Sequence, residues 1–476
     1  MGEAVRETML RVSVVFPGPS RQGFANLAVF LLARLCEDAG YFPVETLFVD
    51  AGRLCDAEGR PVRARRGRWL WLVTLSYEEQ WPALVGAIGS VGSPLRARDR
   101  GPLDPIVVAG GMSVALNPEP LRPFLDGVFR GDAEPVVDEI LSIAEQHPLD
   151  DREALSESLA ALERSGPVRF WGRRPACSRG AAVSTFGRML LVEASRGCPV
   201  RCRFCAVGHL RRVHFFPASS IIEAAGESKG ASRIGLVGAA LSWHPEMETL
   251  LEGLERARLD LSPSSLDARL LAGKKAGLVA RAIERSGLRT ITLAPEAGSE
   301  RLRLKLGKRM PDDALERAVE TACSAGAVHV KLYVMYGLPG ESDDDLLQTA
   351  NLVRKLRRVM NAAHRSRGST GRISVSANPF IPKPLTPWAE EPMQPLAQLR
   401  RKRRLLKQAV ERVGGVDFSG LSPRLAVLQC MLDRAGPEAA ALLEECSGRW
   451  PPPSGMLDRF LPGWLQLVCG RLEKCE

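Results

Sequence analysis

The chain has no continuous apolar run long enough to cross a bilayer and no signal-peptide pattern at its N-terminus, so no membrane role and a cytoplasmic location are expected. It also lacks a disulfide framework. Three of its 11 cysteines stand close together and the rest are scattered through 476 residues, which fits a reducing compartment. Aromatic residues make up only 6%, and no dense basic-aromatic array accompanies the formal net charge of +10, most of it arginine. Such charge could attract nucleic acid, an acidic protein or a phosphorylated substrate. Without that array it reads more simply as solvated surface, and nucleic acid is not favoured. Arg63, Arg65, Arg66 and Arg68 form one basic cluster; Arg400, Lys402, Arg403, Arg404 and Lys407 form another, on what spacing predicts to be the wet face of a helix. Turn formers are plentiful: 34 prolines and 44 glycines within a 45% apolar chain describe a globular protein of two or three domains.

Chemistry concentrates at residues 191–208. An apolar run, Met189 to Val192, suits a strand, Gly197-Cys198-Pro199 turns the chain into a loop, and Cys198, Cys202 and Cys205 follow the spacing C-x-x-x-C-x-x-C. A tetrahedral zinc site would need a fourth ligand. Three cysteines can instead hold three irons of a 4Fe-4S cluster and leave the fourth iron open. The motif resembles that of the radical S-adenosylmethionine (SAM, AdoMet) enzymes. That resemblance implies a reduced cluster, AdoMet held on the open iron, and release of a 5'-deoxyadenosyl radical, with Phe204 beside the adenine. His209 and His214 lie near the loop, as acid-base groups or as packing.

Later segments extend the resemblance. Arg233 to Val237 reads as a strand whose carboxyl end, Gly238 to Ser242, would contact the AdoMet amino group. Asp267 and Arg269 lie beyond a further strand at Leu259 to Ser262. Thr290 to Leu293 leads into Ala294-Pro295-Glu296-Ala297-Gly298-Ser299, where Glu296 would accept from ribose hydroxyls and Gly298 would admit close backbone approach beside Ser299. Val328 to Met335 ends in Gly337-Leu338-Pro339-Gly340-Glu341, a recurrent turn of the family. Lys331 and Tyr333 could point inward as catalytic residues with Glu296, Lys331 neutralising a substrate carboxylate or phosphate; otherwise Lys331 is a solvated strand end. Arg372 to Ala377 precedes Asn378 to Trp388, a proline-rich lip.

The first 145 residues alternate strand and helix: strands at Val12 to Phe16, Val44 to Val49, Leu70 to Leu75 and Pro105 to Ala109, and a helix from Asn26 to Ala39. With Leu75-Ser76-Tyr77-Glu78, Val108-Ala109-Gly110-Gly111 and Asn117-Pro118-Glu119-Pro120, this resembles the cobalamin-binding-like domain fused before a radical SAM barrel. The resemblance places Ser76, Gly110 and Gly111 near a corrinoid. Where cobalamin binders carry a cobalt-ligating histidine, this chain has Pro17-Gly18-Pro19-Ser20-Arg21-Gln22-Gly23, so cobalamin would bind without a protein histidine ligand or not at all.

The expected architecture is α/β: a Rossmann-like cobalamin-binding-type domain over 1–145, a linker over 146–185, a partial (β/α)6 TIM-type radical SAM barrel over 186–390, and a helical C-terminal domain over 391–476. The expected function is radical SAM chemistry with a 4Fe-4S cluster and AdoMet, extending to cobalamin-dependent methyl transfer to an unactivated carbon on a small-molecule or peptide substrate, with flavodoxin or ferredoxin as electron donor. The alternatives are a cobalamin-free rearrangement, hydrogen-abstraction or thiolation enzyme, and an iron-sulfur sensor or nucleic-acid-binding protein. Cys430, Cys446, Cys469 and Cys475 are not spaced for a second cluster.

Overall fold

The computed structural model describes residues 10–63, 67–148, 151–164, 174–178, 184–227, 232–239, 241–263, 266–365, 368, 370–449, 452 and 456. Arg65, Arg66, Cys469, Cys475 and the end of the expected helical C-terminal domain, residues 457–476, lie outside the described residues. The fold is α/β, and the chain divides into two compact units, residues 1–188 with 431–464 and residues 189–430 with 465–476.

In the first unit, strands β1 (Arg11–Phe16), β2 (Glu45–Asp50), β3 (Arg53–Cys55), β4 (Trp69–Thr74), β5 (Ile106–Gly110) and β6 (Gly127–Phe129) form one sheet ordered β3-β2-β1-β4-β5-β6. Every pairing is parallel except β2 with β3. Apolar runs suit strands covered on both faces, and all six residues of β4 are buried. The helix Leu27–Asp38 begins where Asn26 accepts from the Ala28 amide at 2.9 Å. Strand order reverses between β1 and β4, the place where open α/β sheets receive ligands. The helix Arg152–Arg164, which falls in the expected linker, is part of this unit: Leu155, Leu159 and Leu162 enter the core with Leu10, Leu70 and Ile140. Its Arg152 also donates to Asp126, whose carboxylate takes Arg100 at 2.9 Å in a fully buried pair. That node ties helix to sheet.

Among the described residues the second unit carries seven parallel strands in two sheets. β7 (Leu190–Glu193), β10 (Arg233–Val237) and β11 (Asp260–Pro263) are ordered β11-β10-β7, and β12 (Thr290–Glu296), β13 (His329–Tyr336), β14 (Arg372–Pro379) and β15 (Val416–Ser419) are ordered as numbered. A short antiparallel pair, β8 (Ser195–Arg196) with β9 (His214–Phe215), closes the base of the cysteine loop. Helices alternate with the strands, among them Asp312–Ser324, Asp343–Arg365 and Leu396–Glu411.

Two further features differ from expectation. Strand β15 lies inside the segment read as helical and adds a seventh strand beyond the six expected; four residues after Gly414-Gly415 are too short a run for periodicity to reveal. Residues 431–464 join the first unit, where Asn117 Nδ2 donates to the carbonyls of Leu432 and Ala435 at 2.9 and 2.8 Å. Asn117 therefore satisfies helix-end carbonyls there.

Candidate functional site

The cysteine loop is held by its own backbone. Gly197 and Arg201 adopt left-handed φ of 72° and 51°. A side chain at Gly208 would stand 2.9 Å from Arg201 Cα and 3.2 Å from the Cys198 carbonyl, so the loop closes only over glycine there. The Cys205 amide donates to the Cys202 carbonyl at 3.1 Å, and His209 Nε2 reaches the same carbonyl at 3.0 Å. His209 thus braces the loop, and His214 packs edge-on to Phe216 with centroids 4.7 Å apart.

Cys202 is buried, with Cys198 and Cys205 partly so. Burial pushes the Cys202 thiol up to about 11; nearby Lys308 opposes this, while Cys205, Glu296 and Cys198 add to it. Burial also raises the Cys205 thiol, again with Cys198 contributing. Three mutually repelling, partly desolvated thiolates are costly alone and are stabilised by a cationic centre, so the donor set fits an iron-sulfur cluster. Among the described residues no three Cys, His, Asp or Glu side chains are gathered closely enough to hold a single metal ion.

Around this loop the structure brings several expected residues together. Phe204 and Met335 pack against an apolar cluster of Ala297, Leu302, Leu306, Leu338, Phe380 and Trp388, so the aromatic of the cysteine motif and the leucine of the Gly-Leu-Pro-Gly-Glu turn share one patch. Glu296 ends β12 with a left-handed φ of 69°, a strained conformation for a non-glycine residue, and takes a hydrogen bond from Lys308 Nζ at 3.0 Å. Burial works against the Lys308 charge, yet Glu296, Cys202 and Asp267 outweigh it and raise its pKa. Lys331 and Tyr333 lie on the half-buried face of β13, with Lys331 Nζ 5.1 Å from the Tyr333 ring centroid. The register sets Lys331 opposite Thr292 of β12 and Ser374 of β14.

Other expected residues are occupied by the chain itself. A side chain at Gly298 would collide with the Thr349 backbone, so its close approach serves a helix. Ser299 caps the helix Glu300–Lys305 and donates to Asp345 Oδ1 at 2.6 Å. A side chain at Gly238 would strike Ser195 Oγ, and Ser242 Oγ accepts from the Asp267 amide at 2.8 Å. In the first unit Gly111, at φ 110°, presses on the Leu75 carbonyl, and Gly110 comes 3.2 Å, measured from an added Cβ, to the Phe129 carbonyl. Ser76 Oγ accepts from Asn26 Nδ2 at 3.1 Å, which joins the loops after β1 and β4 at the switch point. Asn378 Oδ1 accepts from the Leu421 amide at 2.8 Å, so this lip residue is tied to the chain after β15.

Three groups escape a reading of spacing. Lys308 is one. The second is Asp267 with Arg269, a two-point pair at 2.8 and 2.6 Å; burial disfavours the Asp267 carboxylate, but Arg269 and Lys308 hold it below the usual range. Arg269 stacks on the exposed Trp243 ring at 4.9 Å beside a pocket of about 190 Å³ that Lys274 and Lys275 also line. The third is Lys402, expected on a wet face. Its ammonium is buried and donates to Glu341 Oε2 at 2.8 Å, the oxygen that also accepts from the Gly337 amide at 2.7 Å. Burial raises the Glu341 pKa, with Lys402 opposing. Lys402 falls on the stripe of Leu399, Leu406 and Val410, a signal that could have found it.

Comparison with known proteins agrees with this geometry. Residues 192–353 match the radical SAM superfamily, and residues 67–165 match the N-terminal region of radical SAM proteins. An uncharacterized protein of Methanocaldococcus jannaschii is 25% identical over 451 residues, covering 91% of this chain and 90% of the relative. A tRNA-2-methylthio-N(6)-dimethylallyladenosine synthase of Chloroflexus aurantiacus is 27% identical over 350 residues, covering 68% of this chain and 69% of that enzyme. The radical SAM methyltransferase TsrM of Kitasatospora setae, solved with cobalamin and a [4Fe-4S] cluster bound, superposes with a TM-score of 0.56 at 16% identity over 81% of this chain and 80% of that one. The cobalamin-dependent SAM radical enzyme OxsB gives 0.53 at 13% identity over 97% and 76%. Among the described residues no helix is long and apolar enough to cross a membrane. The cysteine loop, the apolar patch it shares with the Gly-Leu-Pro-Gly-Glu turn, and the matches over both units make this chain a member of the radical SAM superfamily, whose cofactors are a 4Fe-4S cluster and AdoMet.

Proposed function

We propose that the chain is a cytoplasmic radical SAM enzyme that transfers a methyl group to an unactivated carbon, with cobalamin as methyl carrier. Cys198, Cys202 and Cys205 hold the cluster, and Phe204, Gly337 and Leu338 flank the AdoMet adenine. The working segments are residues 1–145 for cobalamin and 186–390 for radical generation. When bound and reduced, the cluster supplies the electron that cleaves AdoMet, and cobalamin supplies the methyl group. The chain's own part is to place and shield these groups. The patch of Leu338, Phe380 and Trp388 excludes water behind Phe204. Glu296, fixed by Lys308, keeps a carboxylate oxygen for the ribose, and Lys331 offers a cation to an anionic substrate.

The observation that carries the cobalamin part is the switch point between β1 and β4, bridged by Asn26 and Ser76, in a fold similar to TsrM. A cobalamin-free radical reaction is favoured instead by Gly111, which packs on Leu75, and by the histidine-free loop after β1.

Anaerobic iron and sulfide reconstitution followed by dithionite and AdoMet tests the reading. About four irons per chain, 5'-deoxyadenosine release and corrinoid binding are the expected results. Deoxyadenosine without corrinoid binding transfers the case to the cobalamin-free enzyme. Zinc in place of iron sinks both.

A further inference from the structure

Two neighbouring helices of the second unit turn an acid-free, arginine-rich face to solvent. Residues 346–365 and 396–410 hold eleven Lys and Arg and no Asp or Glu. Their helices, Asp343–Arg365 and Leu396–Glu411, run side by side in the same direction. Arg401 donates to both oxygens of Asp343 at 2.8 and 2.7 Å, and further along Arg357 donates to the carbonyls of Gly414 and Gly415. Position 343 thus stands beside 401 and 357 beside 414–415, which puts Arg354 across from Arg412. Several cations are spent inside the fold. Lys402 pairs with Glu341, Lys355 with Asp312, Arg357 also holds the Gly371 carbonyl, and Arg403 packs over Phe418. What remains is an exposed stripe at three- and four-residue spacing on each helix: Arg354 and Arg358 on one, Arg400, Arg404 and Lys407 on the other. Among the described residues, only Lys407 of these and exposed Arg412 has an ion pair, a 3.7 Å contact with exposed Glu411. Packed helices lie about 8–10 Å apart, so the two stripes and Arg412 form one patch. Asp312 and Glu316 bound it on the side of Lys355.

We infer that this two-helix face docks the sugar-phosphate backbone of duplex RNA. The inference goes beyond the proposed function and does not depend on it. Each guanidinium fork matches phosphate oxygens two at a time, and cations about 5–6 Å apart in two parallel rows can follow a charged backbone. Neither helix contains Phe, Trp or Tyr, so single-stranded bases have no platform to stack on. A protein partner needs apolar anchors at the centre of its interface, and along these helices the exposed large apolar side chain is Leu347 alone, at 40%. Helices lying flat against each other send no single helix into a groove, so they meet phosphates and shape. That suits an A-form RNA duplex, whose deep groove side chains cannot read, better than B-DNA with its readable major groove. Spacing in the sequence displays one wet helix face. The second row joins it only when the fold sets the helices together.

The test titrates the full cluster-loaded chain, kept anaerobic, into a short fluorescent RNA duplex and reads anisotropy across a salt series. Because AdoMet cleavage is not read, failure here leaves the functional reading standing. Wild-type affinity should fall steeply with salt, with a log-log slope of about −4 for four or so neutralised phosphates. Arg354→Gln/Arg358→Gln/Arg404→Gln should bind about tenfold or more weaker and flatten that slope by about three, one per arginine. Arg354→Lys/Arg358→Lys/Arg404→Lys keeps the charge and should keep the slope. Both variants should melt as the wild type does, since all three side chains are exposed. If the glutamine variant melts early, Arg412→Gln alone should flatten the slope by about one. No wild-type binding at about 50 mM salt overturns the inference, as does a slope unchanged by the glutamine substitutions. Equal affinity for a DNA duplex of the same sequence removes the preference for RNA and overturns it. Displacement of the RNA by poly-L-glutamate at equal charge assigns the patch to an acidic protein and overturns it as well.

Discussion

Strand β4 reads Trp-Leu-Trp-Leu-Val-Thr and buries all six residues, whereas β13 reads His-Val-Lys-Leu-Tyr-Val-Met-Tyr and buries every second one. Both are central strands, paired in parallel with a neighbour on each side. The first is covered on two faces, so chemistry can sit only beyond its carboxyl end, at Ser76 and the double glycine. The second keeps one half-buried face, which presents Lys331 and Tyr333 along its length, and Ser374 and Ser376 do the same on β14. Substitutions along β4 should therefore be read in stability, and those on the half-buried face of β13 in activity.

The largest expected effect lies outside both strands. Cys202→Ala should abolish AdoMet cleavage and cut iron content well below the wild type, with the first unit still folded by circular dichroism. Retained iron and cleavage would break the assignment of the loop. Next is a direct exchange between the two strands. Trp71 is fully buried and meets Trp69 edge-on at 5.1 Å, so Trp71→Ala should cost about 3–5 kcal/mol in denaturant unfolding. Lys331→Ala should stay within about 0.5 kcal/mol of the wild type and lose turnover about tenfold or more. If Lys331→Ala is instead the destabilising change, the face of β13 is structural and the comparison collapses.

Lys402→Met tests whether a buried charge behind the Gly-Leu-Pro-Gly-Glu turn supports it. The variant leaves the Glu341 carboxylate, 2% exposed, without its cation, which should cost about 3–5 kcal/mol near neutral pH. Burial already raises the Glu341 pKa, so the folded state binds more protons than the unfolded state between the ordinary carboxylate value and the raised one. Stability from this group is therefore greatest at low pH and falls as pH rises through the folded pKa. Without Lys402 that pKa climbs further, so the variant should recover toward the wild type on acidification. Lys402→Met/Glu341→Gln should recover at neutral pH too. Melting curves across pH decide it: a deficit independent of pH would leave Lys402 with a packing role alone.

These cases also separate what was readable beforehand from what was not. The run Arg233 to Val237 coincides with β10 because an apolar core flanked by polar residues has only one sensible reading as a strand. The helix Trp81–Ser90 carries no such signal, because it is apolar on all sides and shows no stripe. Strands β3, β6 and β15 are three or four residues long and carry no period. In the site, the cysteine spacing names a donor set by itself. Glycine, in contrast, announces a close approach without saying to what: Gly298 and Gly111 admit Thr349 and Leu75. Lys308 and Lys402 were invisible as partners because an ion pair spanning 12 or 61 residues is a property of the fold.

The smallest expected effect probes the carboxyl end of the fully buried strand β4, where Ser76 joins Asn26 across the switch point. Ser76→Ala removes one part-buried hydrogen bond at 3.1 Å and leaves Asn26 able to cap its helix, so the cost should be about 1 kcal/mol. The same change strips a hydroxyl from the crevice proposed for the corrinoid. If that crevice is a cofactor site, corrinoid affinity in anaerobic titration should fall by more than the stability loss explains, because a misplaced loop after β4 weakens binding without unfolding the sheet. If affinity is unchanged while stability drops as expected, the hydroxyl only ties two loops together, and the first unit differs from the second in having kept its architecture for support.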